Sequence, residues 1–133
     1  QLDLEEKYYQ KIPYENPKIS IDNLKEDYFG KIFGTRSGDK GGCANLGVWA
    51  KSQEAYSFLY DFLTVKKLKE LLPDLEKFEI DRFELPNIYS LNFYVHGILQ
   101  DGVSSSTRMD GQAKSLGEYL RAKKINFPEQ LLK

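Results

Sequence analysis

The chain has 133 residues, 41 % of them hydrophobic and 14 % aromatic, enough for one domain with a hydrophobic core. Nineteen basic residues against 20 acidic ones leave a net charge of −1, so no basic footprint for nucleic acid or anionic lipid exists. No apolar run is long enough to cross a bilayer as a helix, no leader peptide is visible, and the single cysteine, Cys43, excludes an internal disulfide, which fits a reducing, cytoplasmic compartment.

The chain begins at Gln1 and its only methionine is Met109, so the expectation is a processed chain or part of a longer one. Residues 1–30 are charged and Tyr-rich and are interrupted by Pro13 and Pro17. They read as an N-terminal arm or linker remnant that packs on a neighbour, with a short strand possible at Ile19 to Asp22. The domain proper is expected over 31–133.

Lys31 to Thr35 is a short strand in this reading, and Arg36 to Gly42 a tight glycine-rich loop. Ala44 to Lys51 is a strand, with Leu46, Val48 and Ala50 on one face and Asn45, Gly47 and Trp49 on the other. Ser52 caps a helix carrying Phe58, Leu59, Phe62 and Leu63. Thr64 caps a second helical piece with Leu68, Leu71 and Leu72, which Pro73 ends. Residues 77–85 form a strand whose apolar side switches from Phe78 and Ile80 to Phe83 and Leu85, which a bulge or two-sided burial would explain. After the turn at Pro86-Asn87, residues 88–96 alternate Leu91, Phe93 and Val95 with Asn92, Tyr94 and His96. Residues 97–107 are a loop. Asp110 caps a last helix with Ala113, Leu116 and Leu120 on its buried stripe, and Lys124 to Phe127 is a final strand.

From residue 44 the order is strand, helix, strand, strand, helix, strand. That is an α+β, ferredoxin-like split βαβ sandwich: a mostly antiparallel sheet, helices on one face and an extra N-terminal strand. Its first and third strands are central neighbours. Asn45 and Trp49 then share the open face with Asn92, Tyr94 and His96. An open face carrying Trp49 and Tyr94 is expected to be covered, by another copy of the chain or by a larger domain.

Three segments carry candidate chemistry. In Arg36-Ser37-Gly38-Asp39-Lys40-Gly41-Gly42 the glycines permit exposed backbone N–H groups beside two cations, a setting for a carboxylate or phosphate. A plain hairpin turn, with Arg36 and Asp39 pairing locally, is the other reading. His96, with Asn92 on its face, suits proton transfer or substrate orientation, but without a paired carboxylate or cysteine it reads as structural. In Ser104 to Asp110, hydroxyls beside Arg108 at a helix start can hold an anion or simply cap the helix. Cys43 reads as a small buried thiol in preference to a nucleophile. No metal-ligand spacing appears, and no metal or cofactor is expected.

The run Arg36 to Gly42 followed by Ala44-Asn45-Leu46-Gly47-Val48 resembles the Arg-Ser-Gly-Asp-Lys-Gly signature of acyclic terpene utilisation protein A (AtuA)-like C-terminal domains. Leu85-Pro86-Asn87, Leu91-Asn92-Phe93, His96-Gly97-Ile98-Leu99, Gly102-Val103, Ser106, Arg108, Asp110, and Gln112 with Lys114 match in the same order, over about residues 31–132. Two departures stand out: Ala113 where Gly is frequent, and Cys43 where Asn or Asp is common. The resemblance implies a ferredoxin-like domain that usually follows a larger AtuA-like N-terminal domain or subunit. It also implies a setting in acyclic terpene or related acyl-CoA and organic-acid catabolism, in which the family has no established activity. The partners expected are that larger domain, a homo-oligomeric copy and an anionic small molecule. The ligand-binding candidates are Arg36, Ser37, Gly38, Lys40, Asn45, Ser106 and Arg108, the first and last cations converging with Lys40 on one anion site. The catalytic candidates are His96, Asn92 and Asp39. The competing expectation is a non-catalytic assembly domain.

Overall fold

In the computed structural model, residues 14–21, 23–40, 42–97 and 115–133 are described. Strand β1 spans Leu24–Tyr28, and a 3-10 turn at Phe29–Lys31 leads into β2, Gly34–Lys40. Strand β3 is Cys43–Trp49, followed by helix α1, Gln53–Phe62, and helix α2, Val65–Leu71. Strands β4, Ile80–Leu85, and β5, Ser90–Val95, form a hairpin. Residues 115–121 are helical, labelled α3, and β6 is Lys124–Pro128.

The main sheet is antiparallel in the order β2-β3-β5-β4, so the first and third strands of the repeat are central neighbours as expected. The last strand departs from the simple repeat. β6 pairs with β1 in a separate two-stranded sheet, while β2 occupies the place beside β3. The connection between β2 and β3 is only two residues, and Gly42 in it has φ +86°, as short hairpin connections demand. Local hairpin closure therefore wins that edge of the sheet.

Two strand assignments are corrected by this pairing. The strand expected at 31–35 runs over 34–40 as β2, and the segment Arg36 to Lys40 is not a loop but strand, paired residue for residue from Arg36↔Gly47 to Lys40↔Cys43. Gly38 is not needed for a turn: a Cβ there would meet nothing within 4 Å. Residues 14–21 and 23–30, read in sequence as part of an arm, pack on the rest of the chain. Phe29 is fully buried against Phe33, β1 pairs with β6, and the Tyr14 ring lies 5.1 Å from that of Tyr60. No strand forms over 19–21, and Asp22 lies outside the described residues.

The core sits between the sheet and the helices. Ala44, Leu46 and Val48 from β3 and Leu91, Phe93 and Val95 from β5 are all fully buried, and meet Tyr56, Phe58 and Leu59 of α1 and Leu116 and Leu120 of α3. The predicted caps form: Ser52 Oγ accepts from Ala55 N at 3.1 Å, and Thr64 Oγ1 from Lys67 N at 3.1 Å. Burial raises the Tyr56 phenol above its ordinary range, and burial with a hydrogen bond to Glu84 does the same for Tyr60. No helix among the described residues is long and apolar enough to cross a membrane.

The polarity switch along β4 has a cause other than a bulge. Arg82 occupies the helix-side position between Ile80 and Glu84, and its guanidinium donates to Leu63 O at 2.9 Å and Tyr60 O at 2.8 Å. Those are carbonyls at the end of α1 with no partner inside the helix. The fork satisfies them and places a cation at the negative helix end. Phe83 is thereby turned to the opposite face. Replacing Arg82 by Met, which keeps the stem but loses the donors, is expected to cost about 2 kcal/mol in urea unfolding. An unchanged midpoint would contradict this role.

Candidate functional site

The face of the main sheet away from the helices is a shallow trough of about 540 Å³. Residue parity puts Arg36 and Gly38 of β2, Asn45, Gly47 and Trp49 of β3, and Ser90 and Asn92 of β5 along it. Leu85, the last residue of β4, and Ile88, in the β4–β5 connection, add an apolar wall. Opposite in register, Gly47 faces Asn92 and Arg36, so the missing side chain at Gly47 deepens the trough between two polar neighbours.

The two ends of the trough differ in chemistry. At one end the Trp49 indole lies across Gly34, its register partner, so that a Cβ at position 34 would fall within the ring. Trp49 is 37 % exposed, Phe83 45 % and Ile88 64 %, a concentration of apolar surface on a face that water reaches. Towards the middle, Arg36 is exposed and has no carboxylate partner among the described residues. Asn45 Oδ1 is buried yet has no hydrogen-bond partner among the described residues, an acceptor that costs free energy until a donor reaches it. Ser37 points to the helix side, where its Oγ accepts from Gly117 N at 3.0 Å, and Thr35 Oγ1 donates to Gly117 O at 3.0 Å. These bonds fasten α3 under β2 and leave Ser37 with a structural partner.

Beyond Asn45 the sheet ends in a second group. Cys43 Sγ lies 3.5 Å from His96 Nδ1, and His96 Nε2 lies 2.7 Å from Asp81 Oδ2. All three side chains are partly exposed. Two readings from sequence change here. His96 is paired with both a cysteine and a carboxylate, and Cys43 is a half-exposed thiol against a histidine, not a buried one. Asp81 was missed, though counting outward from the Pro86-Asn87 turn places it opposite Tyr94, beside His96 and on its face.

The remaining candidates separate. Arg36, Gly38, Asp39, Asn45 and Asn92 line one trough. Lys40 stands four residues further along β2 than Arg36, about 13 Å of strand, opposite Cys43 in register. The turn end of the β2–β3 hairpin and His96 do share one end of the sheet. Ser106 and Arg108 lie outside the described residues.

Compared with known proteins, the sequence matches the AtuA ferredoxin-like domain family over residues 29–126. The chain belongs to this family. The match spans the fold from the end of β1 into β6, including every strand that forms the open face. No curated protein and no solved structure matches the chain. The AtuA ferredoxin-like domain seen here thus keeps the split βαβ core with β2 added at its edge.

The one tryptophan of the chain reports directly on this face. Gly34→Val is expected to push the indole off β2, shifting Trp49 emission to longer wavelength as the ring enters water. An emission maximum equal to that of the wild type would show that the indole does not rest on Gly34.

Proposed function

We propose that the open sheet face is the ligand-binding lobe of an AtuA-like protein of acyclic terpene or related acyl-CoA and organic-acid catabolism. The ligand is an apolar-tailed acid or its thioester. The observation that carries this reading is the combination in one trough of a guanidinium and a buried amide oxygen, neither with a partner among the described residues, and an apolar wall. Arg36 supplies charge-assisted donors for a carboxylate or phosphate oxygen. Trp49, Leu85 and Ile88 offer apolar surface to a hydrocarbon tail, and Asn45 Oδ1 would accept from a hydroxyl or amide of the ligand.

This setting differs from the glycine-loop anion cradle expected from sequence. The amides of 36–40 belong to a strand, and the cation stands on the sheet. Anion recognition here therefore rests on side chains more than on a nest of backbone N–H groups. Arg36 is exposed, so water screens part of its attraction and the apolar wall must supply much of the affinity.

The exposed Phe83 and Ile88 favour a second reading, a non-catalytic assembly face covered by a larger partner domain or a second copy. Titration of the chain with octanoate, followed by Trp49 fluorescence, separates the two. The ligand reading expects saturable quenching or a blue shift, with affinity about tenfold weaker in Arg36→Ala, the loss of one charge-assisted contact at a solvent-exposed site. No change in emission, or equal affinity in the variant, would refute it.

A further inference from the structure

We propose that Cys43, His96 and Asp81 form an activated thiol that accepts an acyl group from a thioester. The three residues come from three neighbouring strands. Cys43 opens β3, His96 follows the last residue of β5, and Asp81 is the second residue of β4. Continuing the pairing of Ala44 with Val95 brings Cys43 opposite His96, and His96 N donates to Glu79 O at 2.9 Å, which holds the end of β5 to the start of β4. The histidine is therefore fixed by backbone bonds between its two side-chain partners.

The hydrogen-bond pattern assigns the tautomer. A carboxylate accepts only, so at neutral imidazole the proton resides on Nε2, pointing to Asp81 Oδ2 at 2.7 Å. Nδ1 is then left with a lone pair, and the atom facing it is Cys43 Sγ at 3.5 Å. Nucleophile, base and orienting carboxylate stand in sequence, the arrangement that activates a weak nucleophile on unrelated folds. The ring nitrogens are used in the opposite order from the serine-protease pattern, with the carboxylate on Nε2 and the nucleophile on Nδ1. The proton logic is the same.

The step balances without an oxidant or reductant. Cys43 Sγ forms a bond to the thioester carbonyl carbon while its proton passes to His96 Nδ1. Collapse of the tetrahedral intermediate breaks the carbon–sulfur bond to the donor, and the imidazolium returns the proton to the departing thiolate. The products are S-acyl Cys43 and a free thiol. Cys43 contacts the reacting carbon and His96 moves the proton; Asp81 is a positioning residue. Asn45, which lines the trough, stands two residues along β3 from Cys43, about 7 Å away on the same face. The choice of an acyl thioester rests on the ligand reading above, whereas the activation of the thiol rests only on the three side chains.

The test uses the whole chain and the octanoyl thioester of N-acetylcysteamine in excess. Because the chain has one cysteine, intact mass shows the adduct, and Cys43→Ser gives the background. The expected result is one added octanoyl group, released by hydroxylamine and absent in Cys43→Ser. Its rate should fall at least about a hundredfold in His96→Gln, the lower end of what a positioned general base contributes, and should fall also in Asp81→Asn. Asp81→Asn is isosteric but can donate to Nε2 and so drive the proton onto Nδ1, while Asp81→Glu restores the acceptor and should recover the rate. That recovery separates positioning from a general loss of structure. No adduct, or a rate unchanged by His96→Gln or Asp81→Asn, overturns the proposal. Acylation of Cys43 alongside a failed octanoate titration would leave the thiol site standing and remove the trough as its acyl pocket.

Discussion

The pairing of β3 with β5 is the constraint on which the rest of the structure depends. Its register, Leu46↔Phe93 and Val48↔Leu91, sets six fully buried apolar side chains against the helices. The same register puts Asn45, Gly47 and Asn92 on the opposite face. A slip of one residue would bury those polar groups and expose the core, so the buried face holds the open face in place. Site geometry is in this sense a by-product of core packing. The polar residues need no mutual attraction to stay together, and the trough can carry an acceptor and a cation that have no partner among the described residues.

The neighbours of that central pair decide what the open face contains. On one side the two-residue hairpin adds β2, and with it Arg36, at an edge that the last strand of the repeat would otherwise occupy. On the other side β4 brings Asp81 to the end of the sheet and Phe83 to its open face, a placement tied to Arg82. The guanidinium of Arg82 serves the end of α1, which forces the alternate residues of β4 outward. One helix-end contact thus fixes the orientation of the carboxylate that holds His96. Membership of the AtuA ferredoxin-like family accounts for the scaffold.

Much of this was legible in the sequence where side chains alternate cleanly. Leu91, Phe93 and Val95 against Asn92, Tyr94 and His96 announced both faces of β5, and Ser52 and Thr64 announced both caps. The segment 36–40 was not legible. Its Gly, Ser and Asp signal a turn, yet pairing with β3 overrides local preference, because an edge strand needs few apolar residues and tolerates glycine. β1 was hidden for a similar reason: Leu24 to Tyr28 is a charged, mostly exposed strand with no apolar rhythm. The Cys43–His96–Asp81 group joins residues 15 to 53 positions apart, a proximity that only strand register creates.

The open sheet face is the proposed ligand-binding surface. The most direct measurement is a backbone amide NMR titration of the chain with octanoate. A ligand-binding open face predicts shifts concentrated at Arg36, Asn45, Gly47, Trp49 and Asn92, with little change at helix residues such as Ala55 and Leu68. Shifts confined to α1 and α2, or none anywhere at saturating octanoate, would contradict it.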